Sequence, residues 1–175
     1  TRVFDTGEYG VVTQFYAYAA FLNILFTYGL ETAFFRFSQT ENNRPQIYST
    51  ALISLLFSSV AFFVTITLFA QPIAASFVAA DQLDSRLPLY VIWFAGILAA
   101  DAITAIPFAR LRQQNKAMRF AMIRLVNILL NIGFNLFFLV VCPKWTAQHP
   151  ESWMTSVYDP SHGVGYVFLS NLLAS

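Results

Sequence analysis

Long stretches without a charged side chain constrain this chain more than any other feature. Tyr9 to Leu30 has no Asp, Glu, Lys or Arg for 22 residues, Pro45 to Ala80 none for 36, Leu87 to Ala100 none for 14, and Leu125 to Pro143 none for 19. A helix rises about 1.5 Å per residue, so about 20 apolar residues cross the hydrocarbon of a bilayer. The apolar residues fall in blocks rather than in the alternation of a strand or the stripe of a half-buried helix. Backbone groups in lipid must be satisfied within their own segment, so each run reads as a helix. The fold class is therefore all-α, a polytopic transmembrane helix bundle. Spans are expected at about 9–37, 46–78, 88–109 and 114–141, with a fifth starting at 163–175. The second is too long for a bilayer and should kink or leave the hydrocarbon near Gln71 and Pro72.

Composition excludes a soluble domain. Only 11% of the residues are charged and 57% are hydrophobic, with 19 Phe, against about 25% charged in ordinary soluble proteins. A net charge of +1 gives no basic surface for nucleic acid. Cys142 is the single cysteine, which excludes an internal disulfide, and two His beside it make a metal centre unexpected. No cofactor, catalytic residue or metal ligand is expected. The first apolar run lacks the basic flank and cleavage site of a secretory signal. The chain opens on Thr1 and closes inside an apolar run, so we read it as an internal fragment.

Lys and Arg in short loops set orientation. The loop Arg110 to Arg119 holds Arg110, Arg112, Lys116 and Arg119 with no acid, whereas Asp81 to Leu87 has one Arg against two Asp. The basic loop is placed inside, with Phe37 to Gln46. The N-terminal stub, Asp81 to Leu87 and Pro143 to His162 are then outside. Six basic residues lie inside and three outside, with Arg124 in a span. The first span runs from outside to inside, so a further helix is expected before it. His149, Glu151, Asp159 and His162 in the outer stretch fit no ligand spacing and are interrupted by Pro150 and Pro160; that stretch reads as an interfacial loop whose Trp residues meet the headgroups.

The informative residues are those that lipid penalises, by about 2.5 to 3.5 kcal/mol for a charge at mid-membrane on insertion scales. Glu31, Arg36, Asp101 and Arg124 are the candidates. Arg124, Asn127, Asn131 and Asn135 share about 80° of one helix face. Two readings fit this stripe. It lines a wet cavity that presents donors to hydroxyl or phosphate oxygens, or its amides join helices by hydrogen bonds. Asn23, Thr27 and Glu31 form a second stripe with Tyr16 beside it. Glu31 at that depth must pair, meet water or carry a proton. Arg36 and Arg124 could equally snorkel to the inner headgroups. Asp101 suits either pairing with an Arg of another helix or coupling to an ion or proton, and Pro107 close by opens backbone carbonyls. Arg112, Lys116 and Arg119 share a face if their segment is helical; with Arg110 they are expected to touch anionic headgroups, besides fixing topology.

The stretches FDTGEYGVVTQFYAYAAFLNILFTYGLETAFFRF, PFARLRQQNKAMRFAMIRLVNILLNIGFNLFF and GVGYVFLSNLLAS resemble bacterial oligosaccharide flippases, the Wzx-like polysaccharide transporters. These share a superfamily with lipid II flippases and multidrug and toxin extrusion transporters. The most specific parts are Glu8-Tyr9-Gly10, Glu31-Thr32-Ala33-Phe34-Phe35-Arg36 and the helix of Arg124, Asn127 and Asn131. The resemblance implies a bundle of about fourteen spans in two lobes around a central cavity, with this chain a fragment of the N-terminal lobe. It also implies a multi-pass protein of the bacterial cytoplasmic (inner) membrane that is not an enzyme. Such a protein would move an undecaprenyl-diphosphate-linked oligosaccharide between leaflets by alternating access, beside other glycan-assembly membrane proteins.

On that basis Arg124 and Arg36 are expected to hold diphosphate, and Asn23, Asn127, Asn131 and Asn135 to meet sugar hydroxyls. Glu31 or Asp101 is expected to couple transport to a cation or proton. A multidrug or cation antiporter of the same fold would show the same pattern. A membrane-embedded glycan polymerase or ligase should concentrate acidic, Arg or His residues in a large outer loop, and a purely structural protein needs no aligned polar stripes.

Overall fold

Two of the expected crossings are each divided, and particular residues account for the divisions. The computed structural model describes residues 6–27, 29–40, 44–77, 86–148, 158–159 and 163–175. Among them every regular element is helical: α1 Thr6–Thr27, α2 Leu30–Thr40, α3 Arg44–Leu68, α4 Ala70–Phe77, α5 Leu87–Gln113, α6 Ala117–Leu136, a π-helical turn Phe137–Val141, α7 Cys142–Gln148 and α8 Gly165–Ala174. Among the described residues three continuously helical stretches are long and apolar enough to cross a bilayer: Pro45–Leu68, Leu87–Gln113 and Ala117–Gln148.

The expected span 9–37 is two helices, because Gly29 between them has φ of 69°. That left-handed conformation is open to glycine at little cost and ends a helix. The ladder restarts at once, with the Ala33 N–H donating to the Gly29 carbonyl at 3.1 Å. In the expected span 46–78 the bend falls at Phe69, one turn before Pro72. Pro72 has no N–H for the Leu68 carbonyl and its ring crowds that oxygen, while Phe69 still donates to Thr65 at 3.1 Å and Ile73 to Phe69 at 3.0 Å.

The fourth crossing runs past its expected end at 141. Pro143 cannot donate to Leu139, yet the chain stays helical to Gln148 by widening one turn, in which the Cys142 N–H reaches the Phe137 carbonyl five residues back. Pro143 then occupies the first turn of α7, where no N–H is missed.

Half of the α5 span is buried inside the protein, against 17% for the α3 span and 6% for the α6 span. α5 is therefore the interior helix, and it packs against α1, α2, α3, α4, α6 and α8. Ala95, Ala102 and Ala109 recur every seven residues along it and are fully buried, which lets neighbouring backbones approach. Phe15 of α1, Phe94 of α5 and Phe168 of α8 meet in one cluster, Phe15 lying 5.2 Å from each of the other two rings. Phe34, Ala51, Leu55, Ile106 and Ala109 close a second cluster between α2, α3 and α5. At the other end Tyr166 stacks between Phe138 and Tyr158, at 5.2 and 4.9 Å. α6 leaves Leu125, Val126, Leu129, Ile132 and Leu136 exposed, an apolar surface matched to lipid.

Candidate functional site

Six of the residues singled out by the sequence come together. Asn23 and Thr27 of α1, Glu31 of α2, Asp101 and Arg112 of α5 and Arg124 of α6 line one polar cleft of about 410 Å³. The cleft runs from Arg112, at the end of α5 that the loop charges place inside, to Asp101, about 16 Å further along that helix. The stripe of Asn23, Thr27 and Glu31 survives the turn at Gly29. The Thr27 hydroxyl donates to the Asn23 carbonyl at 2.8 Å, which turns the backbone polar group and the side chain to the same side. Thr104 donates to the Asp101 carbonyl at 3.0 Å, one turn above Pro107, whose missing N–H leaves the Ile103 carbonyl without its helical donor.

Both guanidinium groups rest on aromatic rings. Arg124 lies 4.7 Å from the centroid of Phe108, and Arg112 lies 5.5 and 5.7 Å from those of Phe120 and Phe35. Such contacts hold a planar cation in place while leaving its N–H groups for an anion. Arg112 donates through Nη2 to Oε1 of Glu31. Asp101 is within electrostatic reach of Arg124 across the cleft and of Tyr16 on α1. Two carboxylates thus face two guanidinium groups in this space.

The placement changes several expectations. Arg112, Lys116 and Arg119 do not share one helical face, because α5 ends at Gln113 and Asn115 takes φ of 56° before α6 begins. Arg112 is still on α5, on the stripe of Asp101, Ala105 and Phe108 that lines the cleft, while Lys116 donates to Gln114 at 2.7 Å and Arg119 is exposed. Arg110 lies 4.2 Å from the ring centroid of Tyr48 on the α3 side. Arg36 is exposed on α2 and is not in the cleft lining.

The three asparagines of α6 are also outside the lining. Asn127 donates to the Ala174 carbonyl at 2.7 Å, Asn131 to Oδ1 of Asn171 at 3.2 Å, and Asn135 to Oδ1 of Asn131 at 2.6 Å. Asn171 in turn donates to the Tyr16 hydroxyl at 2.7 Å, so a ladder of amides ties α6, α8 and α1 together. The sequence reading missed Asn171, whose run of thirteen residues from Gly163 is too short to show a stripe. His149, Glu151 and His162 lie outside the described residues; among the described residues no three His, Cys, Asp or Glu are grouped to hold a metal.

A helical membrane protein with a charge-balanced polar cleft between its first helices and its interior helix is the class these features define. Residues 1–148 match a family of polysaccharide biosynthesis proteins, most of the chain, and the chain belongs to that family. Its place is in polysaccharide biosynthesis at a membrane. No curated protein and no solved structure matches the chain.

Proposed function

We propose that this protein is a flippase of the bacterial inner membrane, which moves an undecaprenyl-diphosphate-linked oligosaccharide from the cytoplasmic to the periplasmic leaflet by alternating access. The observation that carries this reading is the cleft of Arg112 and Arg124, a pair of fixed cations in a space that reaches from the inner end of α5 to mid-helix. A diphosphate crossing hydrocarbon needs such donors at every depth, since bare phosphate charge in lipid is prohibitive. The polyprenyl tail stays in the bilayer while the headgroup occupies the cleft. Asn23 and Thr27 present polar groups to the first sugar, and Asp101 is the group that couples the inward and outward states to a cation or proton. The protein breaks no bond in this scheme and works beside the enzymes that assemble the glycan.

The test is surface glycan export in cells whose only copy carries a substitution. A charged hydrogen bond is worth about 1.5 to 3 kcal/mol, so Arg124→Ala should lower export about tenfold or more at equal expression, and Arg36→Ala, outside the cleft, should lower it less. Normal export by both Arg124→Ala and Arg112→Ala would sink the proposal.

A further inference from the structure

We infer that Glu31 is an internal occupant of the anion site: its carboxylate takes the place on Arg112 that a diphosphate must claim, and keeps the cleft latched until it is displaced. The inference rests on the diphosphate reading of the cleft and adds a regulating residue to it. Three observations support it.

Arg112 is fixed independently of Glu31. Its guanidinium sits 5.5 Å from the Phe120 ring of α6, and the chain around it is held by the Gln114 N–H on the Arg110 carbonyl at 3.0 Å and the Asn115 N–H on the Arg112 carbonyl at 3.1 Å. The cation therefore stays where it is when its partner leaves.

Glu31, by contrast, stands in the first turn of α2, a short helix of 11 residues joined to α1 through Gly29. Its side chain is partly exposed, so the carboxylate has open space into which to turn. A change of rotamer carries the carboxylate off Arg112 while α2 stays packed on α3 and α5 through Phe34.

The charge balance gives the direction. With Glu31 in place the cleft is formally neutral, two carboxylates against two guanidinium groups, and has no net pull on an anion. With Glu31 turned out, Arg112 and Arg124 face Asp101 alone and the cleft gains a positive charge. A diphosphate and Glu31 thus compete for one cation, and the latch opens for an anion that offers Arg112 more than a single carboxylate does. The Glu31 and Arg112 side chains are 35% and 44% exposed, so the pair is of the weak, solvent-screened kind that a stronger anion displaces.

The experiment uses the intact protein in lipid nanodiscs, with Cys142 replaced by Ala and Thr27→Cys as a reporter in the cleft. Two readouts are taken: the Kd for inorganic pyrophosphate, and the rate at which a charged thiol reagent modifies position 27. Glu31→Gln should lower the pyrophosphate Kd about fivefold, because the competent state no longer competes with the latch, and should raise the labelling rate by a similar factor. Glu31→Asp should restore the parent values, and both gains should vanish in Glu31→Gln with Arg112→Gln. An unchanged or weaker pyrophosphate affinity in Glu31→Gln, with the parent still binding, overturns the competition, and an unchanged labelling rate overturns the latch. Absence of pyrophosphate binding in every variant, the parent included, overturns the diphosphate reading itself.

Discussion

Arg112 and Arg124 stand twelve residues apart and end in one cleft by different routes. Arg124 reaches it from the start of α6, without the asparagines of its stripe; Arg112 reaches it on the face of α5 that also carries Asp101, Ala105 and Phe108. Residue type alone marked Arg124, Glu31 and Asp101, since a charge in an apolar run must have a reason to be there. It misplaced Arg112, which as a loop cation could be explained by topology. The asparagines of α6 show the opposite limit: a stripe of amides looks the same whether it faces water or a neighbouring helix, and here α8 satisfies it. The Asn131 and Asn171 side chains should therefore be coupled. In a double-mutant cycle with Asn131→Ala and Asn171→Ala, thermal unfolding in detergent should give a coupling of about 0.6 kcal/mol, the usual size for a hydrogen bond between membrane helices, and additive effects would show that the contact contributes nothing.

At the scale of elements, the breaks follow from single residues acting on the helical ladder. The Pro72 bend was legible as a position near the end of a run too long for the bilayer, and it falls a turn earlier because proline disturbs the carbonyl four residues before it. Gly29 was not legible, since a glycine inside an apolar run is usually tolerated as helix. The close approach of α8 to α5 was equally hidden. A Cβ on Gly165 would lie 2.5 Å from Cε1 of Tyr90 and 3.0 Å from Trp93, both on the interior helix. Gly165→Ala should destabilise the bundle by about 1 to 3 kcal/mol, the range for overpacking, read as a lower unfolding temperature. Gly96→Ala should cost less, because its nearest neighbour is the Leu172 Cδ1 methyl, the end of a side chain that can shift. Equal effects at the two glycines would show that α8 does not depend on this contact.

For the whole molecule, orientation rests on few charges. The four cations between Arg110 and Arg119 are expected to put the turn between α5 and α6 inside, and the span Ala117–Gln148 follows that turn before Asp159. With Cys142 replaced, a cysteine at Lys116 should react with an impermeant thiol reagent only when the inner face is open, and one at Asp159 only from the outer face. Labelling of both from one side would overturn the topology and with it the inward end of the cleft. The solvent, the helical class and the handful of residues in the wrong solvent were legible without a fold, because charge-free length and the cost of charge in lipid are properties of composition along a line. The tertiary structure alone decided which of those residues meet. Whether an Asn faces water or another helix, and whether Arg112 joins headgroups or Glu31, depends on how α5 is surrounded and where Gly29 turns the chain. Those are contacts between residues far apart in sequence, and no periodicity within one segment encodes them.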